Sequence, residues 1–299
     1  MKLFAALALW ALAAVSLAAP PQRHQVDVDG FSITVWEKSP RKPRAAILLV
    51  HGRTWSALPN FDLQASDRSV MDHLAALGYA TYAIDQRGYG ATPRDSTGWL
   101  TPRRAADDVS AVLRWIDRQR RLPSRPALLG YSRGAHVALF VAHRDPEALS
   151  SLVLYALPGV SPMAATVAPP EPPRRPTTRT AAAEDFITPG AASRDVIEAY
   201  VTQAVAANPV RVDWRDEAEF AFDAGRVSAP TLLLYGANDP LLDDTKATFF
   251  AALATRDRAF VVLPDSDHAA HVENSHLAWV RTVDMFVGMP RAAAAAAAN

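Results

Sequence analysis

The chain has 299 residues, no cysteine, a formal net charge of zero and a pI near 7.1. Its hydrophobic content of 49% is enough for a sizeable core, and its length fits one large α/β domain or two small ones. The balanced charge gives no electrostatic basis for binding nucleic acid or an anionic membrane surface. Because cysteine is absent, the chain has no disulfide, thiolate nucleophile, cysteine-based metal site or lipobox cysteine.

The first 19 residues have the composition of a secretory signal peptide. Lys2 precedes an apolar stretch that runs to Leu17, and small residues stand at Ser16 and Ala18, with cleavage expected after Ala18 or Ala19. An uncleaved anchor is the alternative, but the apolar run is short for a bilayer span. We therefore expect a secreted or periplasmic protein without a stable membrane anchor.

Short apolar segments alternate with amphipathic ones, which is typical of a mostly parallel sheet flanked by crossover helices. The segments around Asp29-Gly30 predict an opening hairpin. The predicted strands are residues 24–28, 31–36, 45–50, 79–85, 126–129, 151–155, 231–235 and 259–263. The predicted helices are residues 66–77, 102–121, 135–142, 194–207, 213–222, 243–254 and 275–287.

The alternation is interrupted after residue 157. Residues 158–176 hold seven of the 23 prolines, and proline at this density cannot join a helix or sheet interior. We interpret residues 158–225 as a cap with a Pro-rich linker, inserted into an α/β core of residues 20–157 and 226–290. Two independent domains are less suitable, because the strands after the insertion are too few for a core of their own. Residues 291–299 predict a frayed Ala-rich tail.

Residues 130–134 read Gly-Tyr-Ser-Arg-Gly, a G-x-S-x-G motif between a predicted strand and a predicted helix. This context is typical of a nucleophile elbow. The turn is so tight that small residues are needed at Gly130 and Gly134. Ser132 is therefore the candidate nucleophile.

A serine hydroxyl needs a base to take its proton, and the base needs an orienting partner. After a nucleophile elbow, an acid and then a histidine are expected downstream. Asp239 follows the predicted strand 231–235, and His268 follows the predicted strand 259–263. Because the carboxyl ends of parallel strands share one edge of the sheet, these side chains are expected to converge with Ser132.

Five motifs occur in a fixed order, namely His51-Gly52, residues 85–90 (Asp-Gln-Arg-Gly-Tyr-Gly), the elbow, residues 236–239 (Gly-Ala-Asn-Asp), and Asp267-His268 followed by Glu273. With these motifs the chain from about residue 24 to 287, apart from the cap, resembles the α/β-hydrolase superfamily, of the capped lipase- and esterase-like kind. The resemblance implies an α/β-hydrolase fold and no cofactor. It also implies an oxyanion hole formed by the backbone N–H groups of Arg53 and Arg133, each donor contributing about 3–4 kcal/mol.

The resemblance gives His51 and Arg87 structural roles in bracing loops. It also favours His268 over His271 as the base, because the histidine in the family stands just after the strand. Asp243 and Asp244 compete with Asp239 for the role of acid, but they lie in the following predicted helix.

A metal site is another alternative for the loop that carries His268. Its ligands would be Asp265, Asp267, His268 and His271. A zinc site needs rigidly held ligands with supporting contacts, and this segment is a loop beside a better-explained triad. We therefore expect no metal.

Arg53 and Arg133 depart from the family pattern, in which the residue after the nucleophile is usually small or apolar. Their side chains could attract an anionic or carbonyl-rich substrate. Alternatively, each is ion-paired on the surface, with Asp62, Asp67 or Asp107 as the partner.

Three aromatic residues, Trp55, Tyr131 and Trp99, are candidates for the pocket wall. Aromatic residues near a sheet edge more often serve packing.

The sequence therefore predicts a secreted serine hydrolase that cleaves a carboxylic ester, a small-molecule substrate, through an acyl-enzyme. Within the superfamily, the alternatives are a C–C bond hydrolase, a peptidase acting on small N-terminal residues, and a cofactor-free peroxidase. A non-catalytic binding member of the fold is the alternative from another class. The sequence leaves the oligomeric state open.

Overall fold

The computed structural model describes residues 19–160 and 168–291, so the predicted signal peptide up to residue 18 and the tail from residue 292 lie outside the described residues. Eight strands form one sheet in the order β1-β2-β4-β3-β6-β7-β9-β10. They are β1 Gln22–Val28, β2 Phe31–Lys38, β3 Ala45–Val50, β4 Tyr79–Asp85, β6 Ala127–Tyr131, β7 Leu152–Tyr155, β9 Thr231–Gly236 and β10 Arg258–Leu263. Strand β2 is antiparallel to β1 and β4, and the other pairs are parallel. The predicted mostly parallel sheet is confirmed.

The Asp29-Gly30 hairpin is also present, and both residues have positive φ angles of 51° and 79°. Two consecutive left-handed residues match the right-handed twist of the paired strands, which explains the choice of Asp-Gly at this turn. Two further short strands, β5 Trp99–Leu100 and β8 Asp213–Trp214, pair outside the main sheet.

Helices cover both faces of the sheet. They are α1 Ala57–Phe61, α2 Val70–Ala76, α3 Pro102–Arg120, α4 Arg133–Arg144, α5 Arg179–Ala183, α6 Arg194–Ala207, α7 Thr245–Ala252 and α8 His276–Val287. Leu48 and Val50 of β3 belong to the apolar cluster under α3 and α4, whereas Ile47 and Leu49 belong to the cluster under α2 and α8. Alternate side chains of one buried strand therefore supply both cores.

The predicted helix at residues 66–77 is shorter in the structure and begins at Val70. Ser66 and Asp67 have left-handed φ angles of 47° and 60°, which a right-handed helix cannot include. The Ser69 side chain caps the helix by accepting a hydrogen bond from the N–H of Asp72 at 3.0 Å.

The predicted helix at residues 213–222 is wrong. This segment contains β8, which pairs with β5, and a short 3₁₀ turn at Glu217–Glu219. Asp216 has a left-handed φ of 56°, which interrupts any helix between the two elements. Tertiary contacts of Trp214 and Phe220, both buried, override the helical pattern of the sequence.

The connection from β7 to β9 spans residues 156–230 and is called the β7–β9 connection below. Its helices α5 and α6 pack on each other and share an apolar cluster with Trp55 and Leu63 of the core. It thereby lies against the loop that follows β3. Within the described residues, no helix combines the length and apolar character needed to cross a membrane.

Candidate active site

Ser132 stands in a strained turn between β6 and α4. Its φ of 52° and ψ of −120° are far from the regions that side-chain-bearing residues prefer. A Cβ at Gly130 would collide with the carbonyl oxygen of Gly134, and a Cβ at Gly134 would collide with that of Val50. The two glycines of the motif are therefore required by close backbone packing, as the sequence pattern predicts.

Tyr155 at the end of β7 connects the elbow with the loop of His268. Its backbone carbonyl accepts a hydrogen bond from the N–H of Ser132 at 2.9 Å, and its hydroxyl donates to the carbonyl of His268 at 2.6 Å. The ring of Tyr131 stacks on that of Tyr155 at 5.0 Å and lies 5.1 Å from the imidazole of His268. The elbow and the histidine loop are thus joined through one buried tyrosine pair.

Asp239 and His268 are paired. His268 Nδ1 lies 3.2 Å from each carboxylate oxygen of Asp239, whose side chain is fully buried. The backbone N–H of Leu241 donates to the same carboxylate at 2.9 Å and fixes its orientation. A carboxylate in this position holds the imidazole so that Nε2 is available for proton transfer.

The alternative acid and base lie elsewhere. The exposed Asp243 bonds with Thr245 and Lys246 at the start of α7. His271 is buried among aromatic rings with Nδ1 3.3 Å from the Tyr155 hydroxyl, and burial lowers the pKa of His271 to about 3. A histidine that stays neutral and buried is suited to packing, whereas His268 has both a carboxylate partner and partial exposure.

The loop that carries His268 is held in place by two carboxyl groups, those of Asp267 and Glu273. The carboxylate of Asp267 accepts hydrogen bonds from the backbone N–H groups of Ile187 and Thr188 in the β7–β9 connection, at 3.1 and 2.6 Å. Burial and the adjacent Asp267 raise the pKa of Glu273 to about 9, so Glu273 is protonated at neutral pH. This pair fixes the histidine loop and ties it to the connection.

Of the four residues considered as a metal site, Asp267, His268 and His271 are bonded to separate partners, and Asp265 is exposed. Among the described residues, the histidine and acidic side chains close enough to share a metal ion are Asp67, His73 and His276. Arg68 Nη1 lies 3.4 Å from Nε2 of His276 in that group, which places a cation where a metal ion would bind.

The two predicted oxyanion donors lie on adjacent segments. Arg53 follows Gly52 after β3, and Arg133 is the first residue of α4, where a helix directs its N–H groups beyond its N-terminus. His51 braces the first segment. Its Nδ1 donates to the carbonyl of Gly52 at 2.8 Å and its Nε2 accepts from the N–H of Gln86 at 3.2 Å. Burial lowers the pKa of His51 to about 4, consistent with a neutral structural histidine.

Arg87, the other residue expected to brace a loop, is held by α3. Its guanidinium donates two hydrogen bonds of 2.7 Å to Asp108, whose side chain is buried. The loop after β4 is therefore fixed against the longest helix.

The side chains of Arg53 and Arg133 share one carboxylate, that of Glu217 in the β7–β9 connection. Arg53 binds Glu217 with two hydrogen bonds of 2.9 Å, and Nη2 of Arg133 lies 2.7 Å from Oε2 of the same residue. Burial alone would raise the pKa of Glu217, but the hydrogen bond from Arg53 and the charge of Arg133 hold it below its usual value. The carboxylate is therefore ionised.

The expected surface partners of these arginines are wrong. Asp62 pairs with Lys38 at 2.7 Å, Asp67 lies 3.5 Å from His73, and Asp107 binds Arg144 at 2.9 Å. An ion pair was expected, but its partner comes from a distant segment and the Arg133 side chain is only 11% exposed. The sequence gives no local signal for this pairing, because Arg53 and Glu217 are 164 residues apart.

Tyr89 and Trp214 form a second link between the β7–β9 connection and the loop after β3 that carries Arg53, which is called the oxyanion segment below. The hydroxyl of Tyr89 donates to the backbone carbonyl of Arg53 and accepts a hydrogen bond from Nε1 of Trp214 at 2.9 Å. The guanidinium of Arg133 lies 5.9 Å from the ring of Trp214 and 5.4 Å from that of Phe220. Sequence reasoning missed Glu217, Tyr89 and Trp214, although Tyr89 belongs to the motif at residues 85–90.

The predicted pocket residues have different positions. Trp55 is buried in the apolar cluster shared with α5 and α6, and Tyr131 is buried between Tyr155 and the two histidine rings. Trp99 lines a cavity of about 360 Å³ next to Arg53. Another cavity, of about 410 Å³, lies between the first hairpin, α3 and α4, and none of its lining residues is a predicted catalytic residue.

The fold and this site define an α/β-hydrolase. The sequence model of the family described as serine aminopeptidase, S33, matches residues 41–275 of the chain. The chain therefore belongs to this hydrolase family within the α/β-hydrolase superfamily, and the predicted fold class is confirmed. A sequence search of curated proteins gave no match.

Solved structures of several hydrolases have a similar fold. A serine hydrolase from Cycloclasticus zankles, a bacterium that degrades polyaromatic hydrocarbons, has a TM-score of 0.67 at 16% identity, covering 90% of this chain and 98% of its own. A hydrolase from Pseudomonas aeruginosa has a TM-score of 0.65 at 20% identity, with 90% and 98% covered. The thioesterase domain of the curacin biosynthetic pathway has a TM-score of 0.63 at 19% identity, with 89% and 99% covered. At these identities the likeness concerns the fold.

Proposed function

We propose that the protein is a serine hydrolase that cleaves a carboxylic ester through an acyl-enzyme. The observation that carries this proposal is the strained backbone of Ser132 at the end of β6, on the sheet edge where Asp239 pairs with His268. Such strain is kept only where the surrounding structure enforces it, and it is typical of a nucleophile held exposed above a helix N-terminus.

The proposed reaction assigns one role to each residue. Ser132 Oγ attacks the ester carbonyl while His268 Nε2 takes the proton, and the imidazolium then protonates the leaving alcohol. Asp239 orients the imidazole and stabilises its positive charge. The backbone N–H groups of Arg53 and Arg133 stabilise the oxyanion, each contributing about 3–4 kcal/mol to lowering the barrier. Water, activated by His268, then releases the acyl group as a carboxylic acid.

Two further proposals concern the setting of this reaction. The β7–β9 connection contacts both the oxyanion segment, through Glu217, and the histidine loop, through Asp267. We propose that it caps the active site and shapes its entrance. The amino-terminal residues, with one lysine and a short apolar run, support export to the periplasm or the exterior.

Removal of an N-terminal residue from a peptide is a second candidate function. It is favoured by the description of the matching family as serine aminopeptidases. Asp185, a carboxyl group of the β7–β9 connection bonded to the Tyr200 hydroxyl at 2.8 Å, could pair with a substrate ammonium group. Burial raises the pKa of Asp185, although the hydrogen bond from Tyr200 and the charge of His268 act to lower it, so this carboxyl group is less readily ionised.

A fluorophosphonate probe and a substrate panel test these proposals. We expect the probe to label Ser132 and no other residue, and the Ser132→Ala variant to remain unlabelled while keeping the same melting temperature. A panel of 4-nitrophenyl esters and aminoacyl 4-nitroanilides then distinguishes the two candidates. Turnover of the anilides alone would replace the esterase proposal with the aminopeptidase candidate. Absence of labelling would refute both.

A further inference from the structure

A cavity of about 360 Å³ lies between the loop after β3, the β5 strand and the β7–β9 connection. It is called the arginine pocket below, and its lining includes Arg53, Trp99, Arg175, Arg211, Trp214 and Arg215. Four guanidinium groups and two indoles around one cavity are far from the average composition of a protein surface. Asp213 is the acidic residue in the lining.

The charges of the pocket are only partly compensated. Arg53 shares the carboxylate of Glu217 with Arg133, and Arg215 lies 3.1 Å from the carboxylate of Asp216. Arg175 and Arg211 are exposed, and neither forms an ion pair with a carboxylate of residues 19–160 or 168–291. The Asp213 carboxylate accepts a hydrogen bond from the backbone N–H of Arg174 at 3.1 Å. The pocket therefore keeps an excess of positive charge.

Backbone contacts hold the two uncompensated arginines near each other. The N–H of Arg211 donates to the carbonyl of Arg175 at 2.8 Å, next to an isolated bridge between Pro176 and Val210. Two cationic side chains with no carboxylate between them repel each other, and an anion relieves this repulsion. The fork of a guanidinium matches the two oxygens of a carboxylate or phosphate group.

The indoles give the pocket apolar walls. Trp99 and Trp214 are 6% exposed and belong to the paired strands β5 and β8. Nε1 of Trp99 is buried and has no acceptor among the described residues. A flat apolar or aromatic group that carries an anion would contact the indoles and the guanidinium groups together.

The pocket adjoins the proposed oxyanion hole. Arg53 belongs to both, and Trp214 lies between the pocket and the guanidinium of Arg133. Burial raises the pKa of Tyr89 to about 12, although the hydrogen bond from Trp214 and the charges of Arg53, Arg211 and Arg133 act to lower it. The arginine pocket and the two proposed oxyanion donors are thus connected through Arg53 and Trp214.

We propose that the arginine pocket binds a carboxylate or phosphate group of the substrate, so that the preferred ester carries an anion on an aromatic or other flat apolar frame. This inference rests on the proposed ester hydrolysis. It assigns the recognition of charge to the exposed Arg175 and Arg211 rather than to Arg53 and Arg133, whose guanidinium groups both bind the carboxylate of Glu217.

Matched ester pairs that differ only in charge test the proposal. One pair is 4-acetoxybenzoate and 4-acetoxybenzamide, with the charge on the alcohol part. The other is the 4-nitrophenyl ester of 4-carboxybenzoate and that of 4-carbamoylbenzoate, with the charge on the acyl part. We expect kcat/KM of the anionic member to exceed that of the neutral member by about tenfold in at least one pair, with a preference that weakens as salt is added. Esters that carry a phosphate in place of the carboxylate show, through their kcat/KM, which of the two anions the pocket prefers.

The double variant Arg175→Ala/Arg211→Ala should bring the ratio of kcat/KM for the anionic ester to kcat/KM for the neutral ester close to one, mainly by raising KM for the anionic ester. The matched control, Arg118→Ala/Arg256→Ala, removes two exposed arginines that do not line the pocket and should keep the preference. Equal turnover of both members by the unaltered protein, or equal losses for both in the pocket variant, would overturn the proposal.

Calorimetry separates this inference from the proposed function. The binding of 4-hydroxybenzoate and of 4-hydroxybenzamide is measured on the Ser132→Ala protein, which cannot form an acyl-enzyme. Tighter binding of 4-hydroxybenzoate, lost in the pocket variant, supports the pocket even if no ester is cleaved. Hydrolysis of neutral esters and labelling of Ser132 without any anion preference would leave the proposed function standing and refute the pocket.

Discussion

The carboxyl edge of the sheet and the β7–β9 connection contribute to the site in different ways. Ser132, Asp239 and His268 each lie in the connection that follows a parallel strand, so the sheet brings them to one edge. The β7–β9 connection instead contributes residues that are distant in the sequence from their partners. Glu217 binds Arg53 across 164 residues, and Trp214 binds Tyr89 across 125 residues. The proposed catalytic residues are thus positioned by the strands that precede them, whereas the proposed oxyanion hole is supported by contacts between residues far apart in the sequence.

The largest expected effect is that of Asp239→Asn, at the sheet edge. An amide cannot stabilise the imidazolium and favours the wrong tautomer of His268, so kcat on a 4-nitrophenyl ester should fall by about 10³–10⁴-fold. The control is Asp243→Asn, which alters an exposed aspartate on the same loop and should keep nearly full activity. Comparable losses in both variants would mean that the acid is misassigned.

We expect a smaller loss of activity from a substitution in the β7–β9 connection, at Glu217. Glu217→Ala leaves the guanidinium groups of Arg53 and Arg133 close together without their shared carboxylate. It thereby makes the positions of the two proposed oxyanion donors less fixed. We expect kcat to fall by about tenfold or more with little change in KM, because the transition state is affected more than substrate binding. Glu217→Gln keeps a hydrogen-bond acceptor and should recover part of the loss.

Glu219→Ala is the matched control for this prediction. It removes a carboxylate from the same 3₁₀ turn, whose partner Arg103 lies on α3. If Glu217→Ala changed kcat by less than about twofold, or if Glu219→Ala were equally impaired, the connection would have no specific role in the oxyanion hole.

The smallest effect concerns stability, at the contact between the histidine loop and the connection. The pKa of Glu273 is raised to about 9 from the usual 4.5, so its contribution to stability is complete below 4.5 and is lost as the pH rises through 9. The melting temperature should therefore fall between pH 6 and pH 7 by about 3 °C more in the unaltered protein than in Glu273→Gln. Parallel pH profiles of the two proteins would show that Glu273 is not protonated in the folded state.

The fold and the local part of the site could be predicted because they depend on short-range rules. Strand periodicity, the Asp-Gly turn and the glycines around Ser132 each reflect constraints within a few residues. The proximity of Asp239 and His268 could be expected because parallel strands end at the same edge, whereas the choice of His268 over His271 rested on the family resemblance.

The sequence misled where distant contacts decide the local structure. Residues 213–222 have a helical pattern, but the pairing of Trp214 with β5 and the left-handed Asp216 exclude a helix there. The partner of Arg53 and Arg133 could not be foreseen for the same reason. A single carboxylate from the β7–β9 connection serves both, and no spacing rule relates Glu217 to either arginine.

The most direct test of the proposed function is the identification of the acylated residue. The protein is mixed with a 4-nitrophenyl ester, quenched in acid during the first turnover, digested and examined by peptide mass spectrometry. We expect a burst of nitrophenolate and an acyl group on the peptide that contains Ser132, both absent in Ser132→Ala. An acyl group on any other residue, or ester hydrolysis that persists in Ser132→Ala, would contradict it.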